Sequence, residues 1–265
     1  MAMGLFDQTT QIERIADNRW QAQLSEHWCV GPVPNGGYLL TIVGRALSEA
    51  LEHVDPSTLN AFYLAPTHVG PCEIEVELLR KGGSTSFAMA RLFQDDELKI
   101  QVTAAYTDLD RAQGETQLLM LPPEVPSFDQ CAELPINDFI AITKQTHQRV
   151  VPGQEKSMMG EPQGGGEWLG WLDFRDENPV DLFSLLYFCD AFPPPAFTLY
   201  GPTGWVPTLD LSVQVRAKPC AGPLMCRFSS KALIDGTLEE DGVLWDSSGK
   251  LVLMSRQTAK FRLPR

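Results

Sequence analysis

The chain has 265 residues, 43% of them hydrophobic, and a formal net charge of −13. That length allows one large domain or two of ordinary size, with ample apolar material for a core. The acidic balance argues against nucleic acid as a partner, because phosphate binding needs a basic surface. No apolar run reaches the length of a membrane span, and the opening MAMGLFDQTTQIER lacks the basic start and apolar core of a signal peptide. A cytoplasmic protein away from the membrane is expected.

Six cysteines (Cys29, Cys72, Cys131, Cys189, Cys220, Cys226) contain no C-x-x-C pair, so free thiols are expected. The four histidines have no helical metal spacing, and His27-x-Cys29 is too slight for a zinc site. No metal is expected.

Residues 18–24 read as a strand that enters the turn-rich loop HWCVGPVPNGGY. Asn35 is placed to cap a helix over 36–52, whose apolar face is built from Leu39, Leu40, Ile42, Val43, Ala46 and Leu47. Four strands follow at 58–65, 72–80, 85–94 and 98–107, separated by turn material, a spacing that suits an antiparallel meander. The pattern then lapses from about 108 to 166, apart from one helix-like piece at 137–150. This stretch reads as a connector or lid.

The second half opens on NPVDLFSLLYFCDAFPPP, residues 178–195. Asn178 suits an N-cap, Pro179 the first helical position, and three prolines end the helix. Apolar residues cover every side, as in a buried helix. Asp190 sits in its last turn, where burial and the helix dipole both raise its pKa, which makes it a candidate general base. Alternatively, Asp190 caps a turn or reaches solvent as the helix ends. Strands near 206–217, 224–234, 237–245 and 251–263 complete a second helix-then-four-strands unit. Pro66…Gly70-Pro71 recurs as Pro219…Gly222-Pro223, and the two units read as a duplication whose strand edges join into one sheet. Aligned from the caps, Asp190 falls opposite Leu47 and Gln257 opposite Ala104 or Ala105. The polar residues occur in one copy only, which predicts one site per chain. The expected organisation is an α+β fold with residues 1–110 as the first unit, 111–166 as the connector and 167–265 as the unit with the polar site.

A helix wrapped by an antiparallel sheet, present twice, resembles the double-hotdog acyl-CoA thioesterases. Trp28…Gly31-Pro32-Val33-Pro34-Asn35-Gly36-Gly37-Tyr38-Leu39 is similar to the W…PNGGYL entry into the first hotdog helix of the thioesterase-like superfamily. The stretches Phe62…Pro66…Gly70-Pro71, Gln94-Asp95 and GVLWDSSGKLVLMSRQTAKFR match it too. The resemblance implies hydrolysis of an acyl-CoA thioester by an activated water, with no cofactor beyond the CoA of the substrate. It implies a polar triad of Asp190, Thr208 and Gln257, although Arg256 and Thr258 depart from the family pattern around the Gln. It also implies thioester-oxygen binding by the amides of Gly36, Gly37 and Tyr38, and a homo-oligomer, a dimer of double hotdogs.

A thioester is already activated, so a positioned water, a base and donors for the oxyanion suffice. The acyl chain is expected in an apolar tunnel between the two helices, with Met158, Met159, Trp168 and Trp171 near its mouth. Arg216, Lys218 and Arg227 are candidates to meet the CoA phosphates. Two rivals remain. A dehydratase of the same fold is disfavoured because no histidine lies in the second helix or its following strand. A non-catalytic acyl-CoA or fatty-acid binding protein is the alternative.

Overall fold

The computed structural model of the protein describes residues 3–176 and 178–263. The first half comprises α1 (Leu5–Thr9), β1 (Ile12–Ala16), β2 (Arg19–Leu24), a small ribbon of β3 (Cys29–Val30) and β4 (Val33–Pro34), α2 (Gly36–Ala50), β5 (Asp55–Tyr63), β6 (Gly70–Lys81), β7 (Thr85–Gln94) and β8 (Glu97–Thr107). The middle contributes β9 (Ala132–Glu133), α3 (Ile142–Gln145), β10 (Thr146–Val150) and β11 (Glu167–Phe174). The second half adds α4 (Leu182–Phe188), α5 (Phe197–Tyr200), β12 (Thr208–Val215), β13 (Leu224–Ser229), β14 (Leu233–Ile234), β15 (Thr237–Trp245) and β16 (Leu251–Lys260).

One antiparallel sheet runs β1-β2-β6-β7-β8-β5-β12-β16-β15-β13-β11-β10-β9, with β14 beside β15. The halves join where β5 pairs with β12, Leu211 opposite Ala61. Two interior edges are thereby satisfied by each other. The fold is an α+β double hotdog.

The first four strands are not a simple meander. β5 leaves β6 and pairs with β8, and β12 likewise pairs with β16. Hairpins form only where the turn chemistry permits. Asp95 and Asp96 both take positive φ, as a two-residue primed turn between β7 and β8 requires. The proline-bearing loop after β5 offers no such turn, so the chain crosses to a new edge instead.

The residues 137–150 do not form a helix. One turn, α3, is followed by β10, in which Thr146, Gln148 and Val150 alternate inward. β11, a strand not expected from the sequence, pairs with both β10 and β13, so part of the connecting stretch extends the second half's sheet.

α2 begins as expected: Asn35 Oδ1 accepts from the Tyr38 N–H at 3.0 Å. α4 is shorter than expected. Its cap is Asp181, not Asn178: Asp181 Oδ1 accepts from the Ser184 N–H and the Ser184 hydroxyl oxygen accepts from the Asp181 N–H, both at 2.7 Å. This reciprocal pair starts the helix three residues later, and Asn178 packs instead against α1, where its Oδ1 faces the Asp7 N–H. The prolines 193–195 end the apolar stretch, but α5 begins directly after them.

α2 and α4 lie antiparallel and in contact beneath the sheet. Thr41 donates to the Phe183 carbonyl at 3.1 Å, and a Cβ on Gly37 would come within 2.6 Å of the Tyr187 carbonyl oxygen. Phe6, Trp28, Phe174, Tyr187 and Phe188 pack edge to face and tilted at one end of this pair. Among the described residues, no helix is long and apolar enough to cross a membrane.

Candidate active site

The site forms where the end of α4 meets the start of α2. Asp190 lies just past α4, its N–H bonded to the Tyr187 carbonyl at 3.1 Å. Its Oδ2 accepts from Asn35 Nδ2 at 2.9 Å and from the Gly37 N–H at 3.1 Å. Asn35 Nδ2 also donates to the Asp190 carbonyl at 2.8 Å. Asn35 therefore caps its own helix with its oxygen and holds Asp190 with its nitrogen. Only the first of these tasks is expected from the sequence.

Asp190 is half-buried. Desolvation raises its pKa from 3.8 to about 6, partly offset by the Gly37 and Gly36 amides, Asn35 and Gln257. The dipole of its own helix was the expected second cause. The structure instead sets the carboxylate against the N-terminus of the partner helix, whose amides favour the charged form.

Gln257 is buried on β16, and its Oε1 accepts from the Thr208 hydroxyl at 2.7 Å. The amide nitrogen, at the other end, faces Asp190 and a residue not expected from the sequence, Glu240. Glu240 stands opposite Gln257 on β15 and is 4% exposed. Burial first, then the nearby Asp190 charge, raises its pKa from 4.5 to about 8. In the sequence it sits in Glu239-Glu240-Asp241, which reads as a solvated charge run; only strand alternation, with Leu238 and Glu240 on one face, hinted otherwise. Tyr63 also joins from β5: its hydroxyl donates to the Gly36 carbonyl at 2.8 Å. Burial, then Asp190 and Cys189, hold its phenol well above the ordinary pKa.

Asp190, Thr208, Gln257, Gly36 and Gly37 are thus brought together. Tyr38 is not: its N–H is held by Asn35, and its buried phenol donates to the Thr9 carbonyl on the far side of the helix. The Gly37 amide already serves the Asp190 carboxylate. Among the described residues the helices leave no tunnel where they touch, at Gly37 and again at Gly44, where a Cβ would meet Leu186 Cδ1 at 2.8 Å. Trp168 is fully buried, its indole N–H on the Pro194 carbonyl, and so belongs to the core. Lys218 is taken up by Asp55 at 3.2 Å and Asp110 at 2.6 Å. That ammonium sits within the acidic group Asp55, Asp108 and Asp110, the one metal-like cluster among the described residues. Arg216 follows the end of β12 remote from Thr208, ~26 Å away at the ordinary strand rise. Arg227 pairs with Glu167 at 2.5 Å.

The first half carries a non-polar counterpart of the site. Asp190 follows its cap Asp181 by nine residues, as Gly44 follows Asn35, so Gly44 and not Leu47 is its equivalent. Both β5 and β12 bulge at the same place, between Pro56 and Thr58 and between Thr208 and Asp210. With the bulges matched, Thr208 corresponds to Pro56, Gln257 to Ala104 and Glu240 to Ala88. Tyr106, the counterpart of Ala259, reaches into the vacated space and donates to the Gly44 carbonyl at 2.8 Å.

This architecture, two hotdogs sharing one sheet with a polar cluster in one of the two equivalent places, defines a double hotdog with one candidate site among the described residues. The chain belongs to the acyl-CoA thioesterase family: the family's N-terminal domain model matches residues 24–108 and its C-terminal domain model residues 122–261. Among relatives, the thioesterase-like protein TwmA of Talaromyces wortmannii is 23% identical, covering 97% of this chain and 92% of its own. A Thermobifida fusca protein described as a thioesterase II is 28% identical, with TM-score 0.91 over 100% of this chain and 99% of that one. An acyl-CoA thioesterase II, TesB2, of Mycobacterium marinum shares the fold at 17% identity and TM-score 0.77, with 98% of each chain covered. Family and fold together support thioester hydrolysis.

Proposed function

We propose that the protein hydrolyses acyl-CoA thioesters to a free acid and CoA, with Asp190 as general base for an attacking water. The observation that carries this reading is the placement of the Asp190 carboxylate. One oxygen is held by Asn35 and the Gly37 amide, which leaves the other to face the Gln257–Thr208 pair.

Water bound between Asp190 and Gln257 loses a proton to the free Asp190 oxygen as its own oxygen attacks the thioester carbon. A pKa near 6 keeps Asp190 ionised at neutral pH yet basic enough to accept that proton. The Gly36 and Gly37 amides, relieved of the carboxylate charge at that moment, turn to the oxyanion forming at the helix N-terminus. Collapse of the tetrahedral intermediate breaks the C–S bond, and the proton on Asp190 passes to the departing sulfur. Thr208 fixes the Gln257 amide and does not itself need to touch substrate.

The test is release of free CoA thiol from a panel of acyl-CoAs by wild type and Asp190→Asn. Turnover that collapses in the variant while its circular dichroism is unchanged supports the scheme. Equal turnover removes Asp190 from the mechanism. Binding of an acyl-CoA without turnover by wild type replaces this reading with that of a binding protein.

A further inference from the structure

Glu240 is a buried carboxyl for which the scheme above has no use. Among the described residues it makes no ion pair. The nearby cations Arg256 and Lys231 are exposed and engage Asp241 next to it on the strand. The titratable groups around it are Asp190 and Cys189 at the end of α4 and Asp241 beside it on β15. A buried carboxyl without a cation is costly, and the matching place in the first half holds Ala88. The packing of a hotdog strand therefore does not require a carboxyl there.

Its neighbour Gln257 has a problem that such a group solves. A carboxamide can turn over, exchanging oxygen and nitrogen, and a threonine hydroxyl serves either face because it both donates and accepts. Thr208 alone cannot hold the orientation. Asp190 cannot hold it, because in the proposed reaction its free oxygen takes up the water and then the proton. The carbonyl oxygen of a carboxyl outside the reaction accepts from the amide N–H, and with Thr208 on the amide oxygen it holds the amide at both ends through the whole cycle.

We propose that Glu240 is a positioning residue: from the adjacent strand its carboxyl oxygen accepts from Gln257 Nε2, locking the amide with its oxygen on Thr208 and its other N–H toward the water beside Asp190. The inference rests on the thioesterase reading for its kinetic consequence but not for its geometry. At neutral pH Glu240 is uncharged. Above about pH 8 its ionisation sets a second negative charge beside Asp190 and the forming oxyanion, and turnover declines.

The experiment compares wild type, Glu240→Gln and Glu240→Ala. A glutamine retains an acceptor oxygen without the titration; alanine, the residue of the first half, retains neither. At pH 7 Glu240→Ala is expected to lose ~10-fold or more in kcat with little change in KM, as expected for a misplaced catalytic group. Glu240→Gln should recover to within about 3-fold of wild type, a conservative rescue, and lose the decline in kcat above pH 8. Glu240→Ala turning over like wild type, or Glu240→Gln as impaired as Glu240→Ala, overturns the proposal. A second readout needs no activity. The side-chain N–H2 resonances of Gln257 should titrate near pH 8 in wild type and stay flat in Glu240→Gln. Static wild-type resonances refute the contact. Titrating resonances in a protein without thioesterase activity uphold the contact and refute only the thioesterase reading.

Discussion

Gln257 accepts a hydrogen bond from the Thr208 hydroxyl at 2.7 Å across two neighbouring strands of one sheet, and this bond holds the oxygen end of the amide whose nitrogen faces Asp190. Thr208→Val keeps the shape and removes the donor. The loss of one buried hydrogen bond should cost about 1 kcal/mol in chemical denaturation. The amide, free to turn, should lower kcat by roughly 10-fold while KM holds, on the measure of a positioning group. A variant with unaltered kcat would place Thr208 outside the positioning network.

Asp190 should set the acid side of the pH profile. As a base it acts when ionised, so kcat/KM should fall as pH drops through about 6, well above the ordinary aspartate range. Asp190→Asn should lower kcat by about 10²–10⁴-fold, and whatever rate remains should lack that limb. A wild-type limb near pH 4 would mean that the carboxylate is more solvated than its surroundings indicate.

Glu240 should make stability depend on pH. Its folded pKa of about 8 lies above the ordinary 4.5, so between those values the folded chain holds a proton that the unfolded chain has lost. Stability therefore falls as pH rises through this window and levels off above it. Glu240→Gln escapes that loss. Near pH 9 it should be more stable than wild type by up to roughly 5 kcal/mol at 1.36 kcal/mol per unit, with the advantage gone near pH 4. Parallel denaturation curves across that range would mean that Glu240 is solvated.

Gly37 and Gly44 should respond differently to alanine. At Gly37 the new Cβ meets the Tyr187 and Leu186 carbonyls at 2.6 and 2.8 Å, and backbone cannot easily move aside. Gly37→Ala should cost about 2–3 kcal/mol, as overpacking does. At Gly44 the nearest atom, at 2.8 Å, is the end of the Leu186 side chain, which can rotate. There the gain in helix propensity, about 1 kcal/mol, should leave Gly44→Ala within about 1 kcal/mol of wild type. Thermal melts of the two variants side by side measure the contrast.

The duplication, the two buried helices, the strands at 85–94 and 237–245 and the single polar copy were determined by the sequence alone. Apolar periodicity, turn residues and the lone Asp190 are local signals, and they survive folding. Asp181 and Ser184 were equally local, yet Asn178-Pro179 offered a competing start, and the reciprocal bonds that settled the matter require both side chains in place. Tertiary structure alone decided the rest. That β5 lies between β8 and β12 depends on pairings far apart in the chain. That Asn35 holds Asp190, that Tyr63 reaches Gly36 and that Glu240 turns inward beside Gln257 follow from those pairings. Hydrophobic pattern marks which face of a strand is buried, but register decides what each buried group meets, and register is a property of the assembled sheet.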